Sequence, residues 1–424
     1  MKMICSPAGL SGTVRAIPSK SDAHRKLICA ALSQNGGTLP IPAPYCDDIA
    51  ATIRCLKALG ADIDASADGL TVRPIRRQPH ADLDCGESGS TLRFLLPVAA
   101  AVCSDISVTG SGRLPERPIA ALTDAMSAHG VHFDSTKLPL HASGTLTGGQ
   151  YSIAGNISSQ FLSGLLMALP VCCGNSEICL TTALQSSAYV TMTLDTLRTF
   201  GAEIDVSSVD SLLRYRIIGN CPLHMPSALQ IDGDWSNAAF WLAAGALQTH
   251  PVTVTGLRTD SVQGDKQVCA ILSEAGAVLS ADEGRITVLG DTIRPFDADM
   301  NGIPDLLPIL AVCAAFAEGD SHFTNAARLR LKESDRLRSV AEMLSALGGQ
   351  VTEHEDGLTV HGTGFLRGGT VDAQNDHRLV MAAAIAALRC KGDVSILGAE
   401  AVSKSYPAFF QDYIALGGIA NSAG

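Results

Sequence analysis

Several cations in this chain stand where helix-forming sequence begins, which is where a polyanionic ligand would need them. In PSKSDAHR, Pro18 to Arg25, the apolar spacing of Leu27, Ile28, Ala31 and Leu32 predicts a helix, with Pro18 and Ser19 as loop and cap. Lys20 and Arg25 then fall in its first two turns. A helix N-terminus carries partial positive charge and free N–H groups, so cations there have the wrong sign for stability. A bound anion resolves the conflict, met by N–H groups, the Ser19 and Ser21 hydroxyls and two cations together. One such stretch alone reads as two solvated cations on a surface helix. Arg93 and Arg378, however, also sit near the starts of apolar helical runs, and ordinary capping does not explain them.

Two further stretches are chemically loaded. LPERPI, Leu114 to Ile119, holds Glu116 and Arg117 between prolines that stiffen the backbone around the guanidinium. RLRLKESDRL gathers six charges between Arg328 and Arg336. As a surface helix it would bring Lys332 and Arg336 together at like charge, with Asp335 able to pair with Arg338 or Lys332. Beside a phosphate-binding cleft, the same residues supply cations for anions and Glu333 as an acid/base candidate. No P-loop, no G-x-G-x-x-G after a strand, no H-E-x-x-H and no G-x-S-x-G occurs. Nor do Cys, His and Asp cluster at metal spacing. The expected chemistry is acid–base work on a bound polyanion, with no cofactor and no metal.

The elements that must position these residues repeat. An amphipathic helix, a glycine and a short strand return in LKALGADI, AMSAHGVHF, LRTFGAEI, LSEAGAVL, LSALGGQV and FQDYIALGG. Their glycines are Gly60, Gly130, Gly201, Gly276, Gly348 and Gly417, about 70 residues apart, and each suits the left-handed residue that ends a helix. Asp-Gly in DIDASADGLTVRP and QVTEHEDGLTVHG signals a hairpin turn. A second helix follows the same period, starting near Lys20, Ser88, Ser159, Asp234, Pro304 and Asp376, and is apolar enough to be buried. Ser159, Asp234 and Asp376 read as N-caps. Six such units of α/β type are expected to gather into two globular halves of three. Parallel buried helices would aim their N-termini at one face of each half, and two such faces across a cleft would seek anions.

Bulk properties agree. The chain has 424 residues, 46% hydrophobic and 4% aromatic, with 40 glycines, which suits tight aliphatic packing. A net charge of −11 argues against nucleic acid or an anionic membrane as partner. The 13 cysteines include no C-x-x-C and read as free thiols of a reducing cytoplasm. Met1 to Ser6 lacks the apolar run of a signal peptide, and Phe94–Cys103 and Leu379–Leu388 are too short to span a bilayer. A soluble cytoplasmic protein is expected.

The ordered set SKSDAHR, GESGSTLRF, LPERPI, SSQFLSGLL, IPD, LKESDRL, NDHRLVMA and SKSYPAFF resembles the 5-enolpyruvylshikimate-3-phosphate synthase family, from about Leu10 to the C-terminus. The resemblance implies a two-domain inside-out α/β barrel of six βαβαββ units, three per domain. One domain would span 18–230 and the other 1–17 with 231–424, with the active site in the cleft between them. It implies transfer of the enolpyruvyl group of phosphoenolpyruvate to the 5-hydroxyl of 3-phosphoshikimate, through a tetrahedral intermediate, by a monomer that is a target of glyphosate. Lys20, Ser21, Arg25, Ser158, Ser159, Gln160, Ser186, Tyr189, Asp305 and Lys332 would hold 3-phosphoshikimate. Lys20, Gly89, Arg93, Arg117, Gln160, Arg336, His377, Arg378 and Lys404 would hold phosphoenolpyruvate. Asp305, Glu333 and Lys20 would carry the proton transfers.

Some positions depart from the family's common pattern: His24 for Asn, Glu87 for Asn, Ser90 for Thr, Phe94 for Pro, and Arg328 where Asn is frequent. Gly89, which leaves room for glyphosate in sensitive members, is kept between Ser88 and Ser90. Two rivals are weighed. The sister family acting on UDP-N-acetylglucosamine opens with Lys-Asn and carries a reactive loop cysteine, whereas here Ser21 follows Lys20 and LPERPI has no Cys. A non-catalytic anion-binding member of the fold would have little reason to keep Lys20, Asp305 and Glu333 together.

Overall fold

Two kinds of helix alternate along the chain in the computed structural model, which describes residues 1–66 and 69–423. Among these residues the α-helices are α1 (Lys20–Leu32), α2 (Asp47–Ala58), α3 (Gly89–Val102), α4 (Ala120–Ser127), α5 (Ser159–Ala168) and α6 (Ser187–Thr199). They continue as α7 (Trp235–Ala246), α8 (Val268–Glu274), α9 (Leu307–Ala315), α10 (Arg336–Ala346), α11 (His377–Ala387) and α12 (Phe409–Ala415). The odd-numbered helices are the ones buried over most of their length. Every residue of α9 and α11 is buried, and α9 is apolar all round, as such burial requires.

The even-numbered helices end in the repeat glycines, and all six glycines have φ between +87° and +109°. In five copies the next N–H returns to a carbonyl one turn back, as Ala61 N does to Leu56 O and Ala202 N to Leu197 O. That bond closes the helix and turns the chain into its strand. In the AMSAHGVHF copy His129 intervenes between the helix and Gly130, and the strand Val131–Phe133 follows at once.

Three of the six repeats place their two helices between strands of their own in the order βαβαββ. The sheet of Gly37–Leu39 has three strands, and two other sheets borrow a strand from residues 1–19. Gln150–Ile153 leads through α5 to Ser176–Leu180, in parallel, then through α6 to the antiparallel hairpin Ile204–Val209 and Leu212–Ile217. The same order of one parallel and two antiparallel pairings recurs in the sheet of Ala81–Asp84, Asp105–Thr109, Leu140–Gly144 and Val131–Phe133. The hairpin Gln350–His354 and Gly357–Thr363 turns at Glu355 and Asp356, so Gly357 opens the second strand. The matching turn at Asp68 lies outside the described residues.

The chain divides into two compact units, Lys20–Ile231 and Met1–Ser19 with Asp232–Gly424. Each has its own hydrophobic core, drawn largely from α1, α3 and α5 in one and from α7, α9 and α11 in the other. Residues 1–19 supply two strands of the second unit. Lys2–Ser6 pairs between Val394–Leu397 and Ile419–Ser422, and Gly12–Arg15 runs parallel to Val252–Thr255. No helix among the described residues is long and apolar enough to cross a membrane.

Candidate active site

In the unit Lys20–Ile231, polar residues collect at the starts of the buried helices. Lys20 opens α1, and its ammonium lies 2.7 Å from the Asp48 carboxylate in the first turn of α2. Part of the charge conflict at this helix start is thus answered internally. Asp48 carries no sequence signal of that role, because an acid in the first turn of a helix is ordinary dipole complementation. Arg25 is buried, and its guanidinium donates to Ser21 O at 2.6 Å, Tyr189 O at 2.9 Å and Thr193 Oγ1 at 2.7 Å. Burial pulls it down to about 10, with Asp22 partly offsetting this. Its position fixes Ser21 to the Tyr189 backbone. His24, one turn into α1, bonds Thr52, which bonds Thr91, tying α1, α2 and α3 together.

The start of α3 forms a second cluster. Ser88 caps the helix by accepting from Thr91 N, and Gly89 follows. A Cβ on Gly89 would stand 2.6 Å from Arg117 Nη1 and 3.0 Å from Arg93 Nη1, so both guanidiniums lie directly over the glycine. Arg93 donates to Gln160 Oε1 at 2.8 Å, and Gln160 Nε2 donates to Ser90 Oγ at 2.9 Å. Two buried arginines held over bare backbone suit a phosphate or carboxylate, which each can grip with two N–H groups. Arg117 is presented by the short helix Leu114–Glu116, while Glu116 turns outward to Arg113.

Ser158, and not Ser159, is the cap of α5. It accepts from Gln160 N, and Ser159 is the first helical residue, because only Ser158 has the extended backbone a cap requires. Ser186, ahead of α6, holds φ +54° and ψ +44°, a left-handed conformation that a non-glycine residue adopts at a cost.

In the other unit the centre is Arg336, the first residue of α10, which has no solvent exposure. Its Nε bonds Asp376 Oδ2 at 3.0 Å, Nη1 bonds Asp305 Oδ1 at 2.8 Å, and Nη2 bonds Glu333 Oε2 at 2.8 Å. Burial alone would lower this guanidinium; Asp376, Glu333 and Asp305 more than offset that and hold it above its usual range. Asp305, in the short helix Pro304–Leu306, also faces Arg378 at 3.0 Å and Lys332 at 3.6 Å. Burial draws the Lys332 ammonium down to about 8, against Asp305, which raises it.

RLRLKESDRL is therefore not one helix. Arg328 and Arg330 lie in the turn Ala327–Leu331, and α10 begins only at Arg336. Asp335 pairs with Arg330, at 3.1 Å, and caps α10 by accepting from Arg338 N. The turn frees Lys332 and Glu333 to face Asp305 and Arg336. Asp376 does more than cap α11 through Arg378 N, since it also anchors Arg336. Asn375, at φ +58°, and Gln374, at φ +47°, bend the chain into that helix, and Lys404 donates to Asn375 O at 2.7 Å. His377 is buried beside Asp376.

Each unit thus gathers cations among polar side chains in a protein whose net charge is −11. Comparison with known proteins adds the following. The family model described as EPSP synthase (3-phosphoshikimate 1-carboxyvinyltransferase) matches residues 4–413. The chain is 40% identical over 419 residues to a 3-phosphoshikimate 1-carboxyvinyltransferase of Clostridium kluyveri, covering 97% of this chain and 96% of that one. It is 41% identical over 421 residues to the one from Clostridium acetobutylicum, with the same coverage. An EPSP synthase structure from Acinetobacter baumannii superposes with a TM-score of 0.80 at 25% identity, covering 99% of this chain and 100% of that one. The enolpyruvyl transferase NikO from Streptomyces tendae shares the fold, with a TM-score of 0.79 at 20% identity over 99% of this chain and 98% of that one. The α/β fold of this chain is therefore shared with an EPSP synthase and with an enolpyruvyl transferase.

Proposed function

The chain belongs to the EPSP synthase family, and from that premise we infer that it transfers the 1-carboxyvinyl group of phosphoenolpyruvate to the 5-hydroxyl of 3-phosphoshikimate. The observation that carries this is the family match over residues 4–413. The reaction is addition followed by elimination. The 5-hydroxyl loses its proton, its oxygen bonds to C2 of phosphoenolpyruvate, and C3 gains a proton. C3 then gives that proton back as the C2–phosphate bond breaks and inorganic phosphate leaves. The product is 5-enolpyruvylshikimate 3-phosphate, an intermediate on the way to the aromatic amino acids.

We assign the steps to residues as follows. Asp305 takes the hydroxyl proton, and Glu333 with Lys20 serves C3. The geometry in support is that Asp305 and Glu333 share Arg336, which fixes the two carboxyls relative to each other. Arg93, Arg117, Gly89 and Gln160 serve the phosphate and carboxylate of phosphoenolpyruvate, together with Arg336, His377, Arg378 and Lys404. Lys20, Ser21, Arg25, Ser158, Ser159, Gln160, Ser186, Tyr189, Asp305 and Lys332 serve 3-phosphoshikimate. Both units are needed for one turnover, and the working species is a monomer in the cytoplasm.

The test is phosphate release from 3-phosphoshikimate plus phosphoenolpyruvate, repeated with UDP-N-acetylglucosamine as acceptor. Release with the shikimate compound alone is expected. Release with the sugar nucleotide alone would move the chain to the sister activity, and release with neither would leave an anion-binding protein. Sedimentation of the active protein checks the oligomeric state.

A further inference from the structure

A carboxyl outside every role assigned above lies buried within electrostatic reach of Asp305 and Arg378. Asp265 sits in the turn Gly264–Gln267, which packs against α7, and it is 2% exposed. Its Oδ2 accepts from the Ser236 hydroxyl in the first turn of α7, and its Oδ1 has no hydrogen-bond partner among the described residues. Among the described residues no cation forms an ion pair with it. An ionised carboxylate so placed is expensive, whereas a carboxylic acid is not.

The charged groups that act on it come from three elements. Asp305, from Pro304–Leu306, and Asp234, the cap of α7, disfavour its negative charge, and Arg378 from α11 favours it. The residues that α8 buries are the apolar Val268 and Leu272, and Lys266 on the turn of Asp265 donates to Ser261 O. Burial first, then Asp305, pushes the Asp265 carboxyl up to about 7, with Arg378 and the Ser236 hydroxyl pulling the other way.

We propose that Asp265 is a positioning residue that, by holding a proton, leaves the charge of Arg378 to Asp305 and to the incoming anion. Ionised, it competes for Arg378 and repels both. The only bond that changes is the carboxyl O–H, and the proton is exchanged with solvent. That the anion is phosphoenolpyruvate rests on the function proposed above; the protonation state of Asp265 does not.

Two measurements test this. In the substrate-free protein, infrared difference spectra should show a protonated-carboxyl band that titrates near pH 7 and is missing in Asp265→Asn. This readout needs no turnover, so it stands or falls separately from the assigned reaction. In the active enzyme, the KM for phosphoenolpyruvate should rise severalfold between about pH 6 and about pH 8, while Asp265→Asn stays near the low-pH value throughout. Ser236→Ala removes the hydrogen bond that favours the ionised form, so its rise should begin at higher pH; this variant decides the matter if Asp265→Asn does not fold. Absence of the titrating band in the wild type, or superimposable pH profiles for wild type and variants, would overturn the proposal.

Discussion

A guanidinium with no solvent exposure needs partners for its buried charge, and Arg336 has three carboxylates. The arrangement separates structure from chemistry. Asp376, itself fully buried, holds Arg336 in place, and Asp305 and Glu333 are then held by Arg336. Asp305→Ala leaves two of the three partners, so the unfolding midpoint should move little while kcat falls by about 10²–10⁴. The affinity for 3-phosphoshikimate, measured by calorimetry, should drop far less; an equal loss of both would remove Asp305 from the proton transfer. Gly89→Ala acts by shape. The new methyl would stand 2.6 Å from Arg117 Nη1 and 2.9 Å from its Cζ, so the guanidinium must move. The KM for phosphoenolpyruvate should rise by roughly tenfold, about 1.4 kcal/mol of lost binding. Lys332 acts by charge. Because its pKa is drawn down to about 8, it is cationic below that pH and neutral above it. The KM for 3-phosphoshikimate should therefore climb as pH passes about 8. Lys332→Arg, which keeps its charge, should flatten the climb; a wild-type KM unchanged from about pH 7 to about pH 9 would show that Lys332 does not bind this substrate.

At the scale of elements, the repeat glycines do two separable things. Gly201 has φ +88° and nothing within 4 Å of where a Cβ would be, so Gly201→Ala tests backbone strain alone and should cost about 1–2 kcal/mol. Gly60 has φ +97° and would place its Cβ 2.2 Å from Arg76 O, so Gly60→Ala should cost clearly more, both read from urea unfolding. Equal costs would mean that the contact relaxes freely. These helix ends were legible from sequence because a left-handed residue after an amphipathic helix almost demands glycine. The buried helices were legible too, since α9 is apolar on every side. What could not be read was which polar group meets which. Asp48 looks like any first-turn acid until the fold brings it to Lys20. Asp376 caps its helix correctly and hides a second bond to Arg336, 40 residues away in sequence. In RLRLKESDRL the spacing admitted a helix, and only the pairing of Arg330 with Asp335 and Glu353 shows why the chain turns there instead.

At the scale of the molecule, one unit is discontinuous in sequence, and this can be tested by dissection. Lys2–Ser6 fills the gap between Val394–Leu397 and Ile419–Ser422, and Gly12–Arg15 covers an edge of the Val252–Thr255 sheet. The same stretch contributes Met3, Cys5, Leu10 and Val14 to the core of that unit. Without it, residues 232–424 would expose three unpaired strand edges beside apolar surface, a template for aggregation. The join is short, because Ser19 N bonds Asp232 O at 2.8 Å and Asp234 N bonds Ile17 O at 2.9 Å. A chain of residues 1–19 linked through a few glycines to 232–424 should therefore fold cooperatively. The 232–424 piece alone should aggregate or lack a cooperative transition. Residues 20–231, continuous and with their own core, should fold by themselves. Circular dichroism melts of the three chains give the answer. If 232–424 alone melts like the linked chain, the first two strands are ornaments on a finished unit. If neither does, the unit needs residues 20–231 in order to fold, and the two-unit description fails as an account of stability.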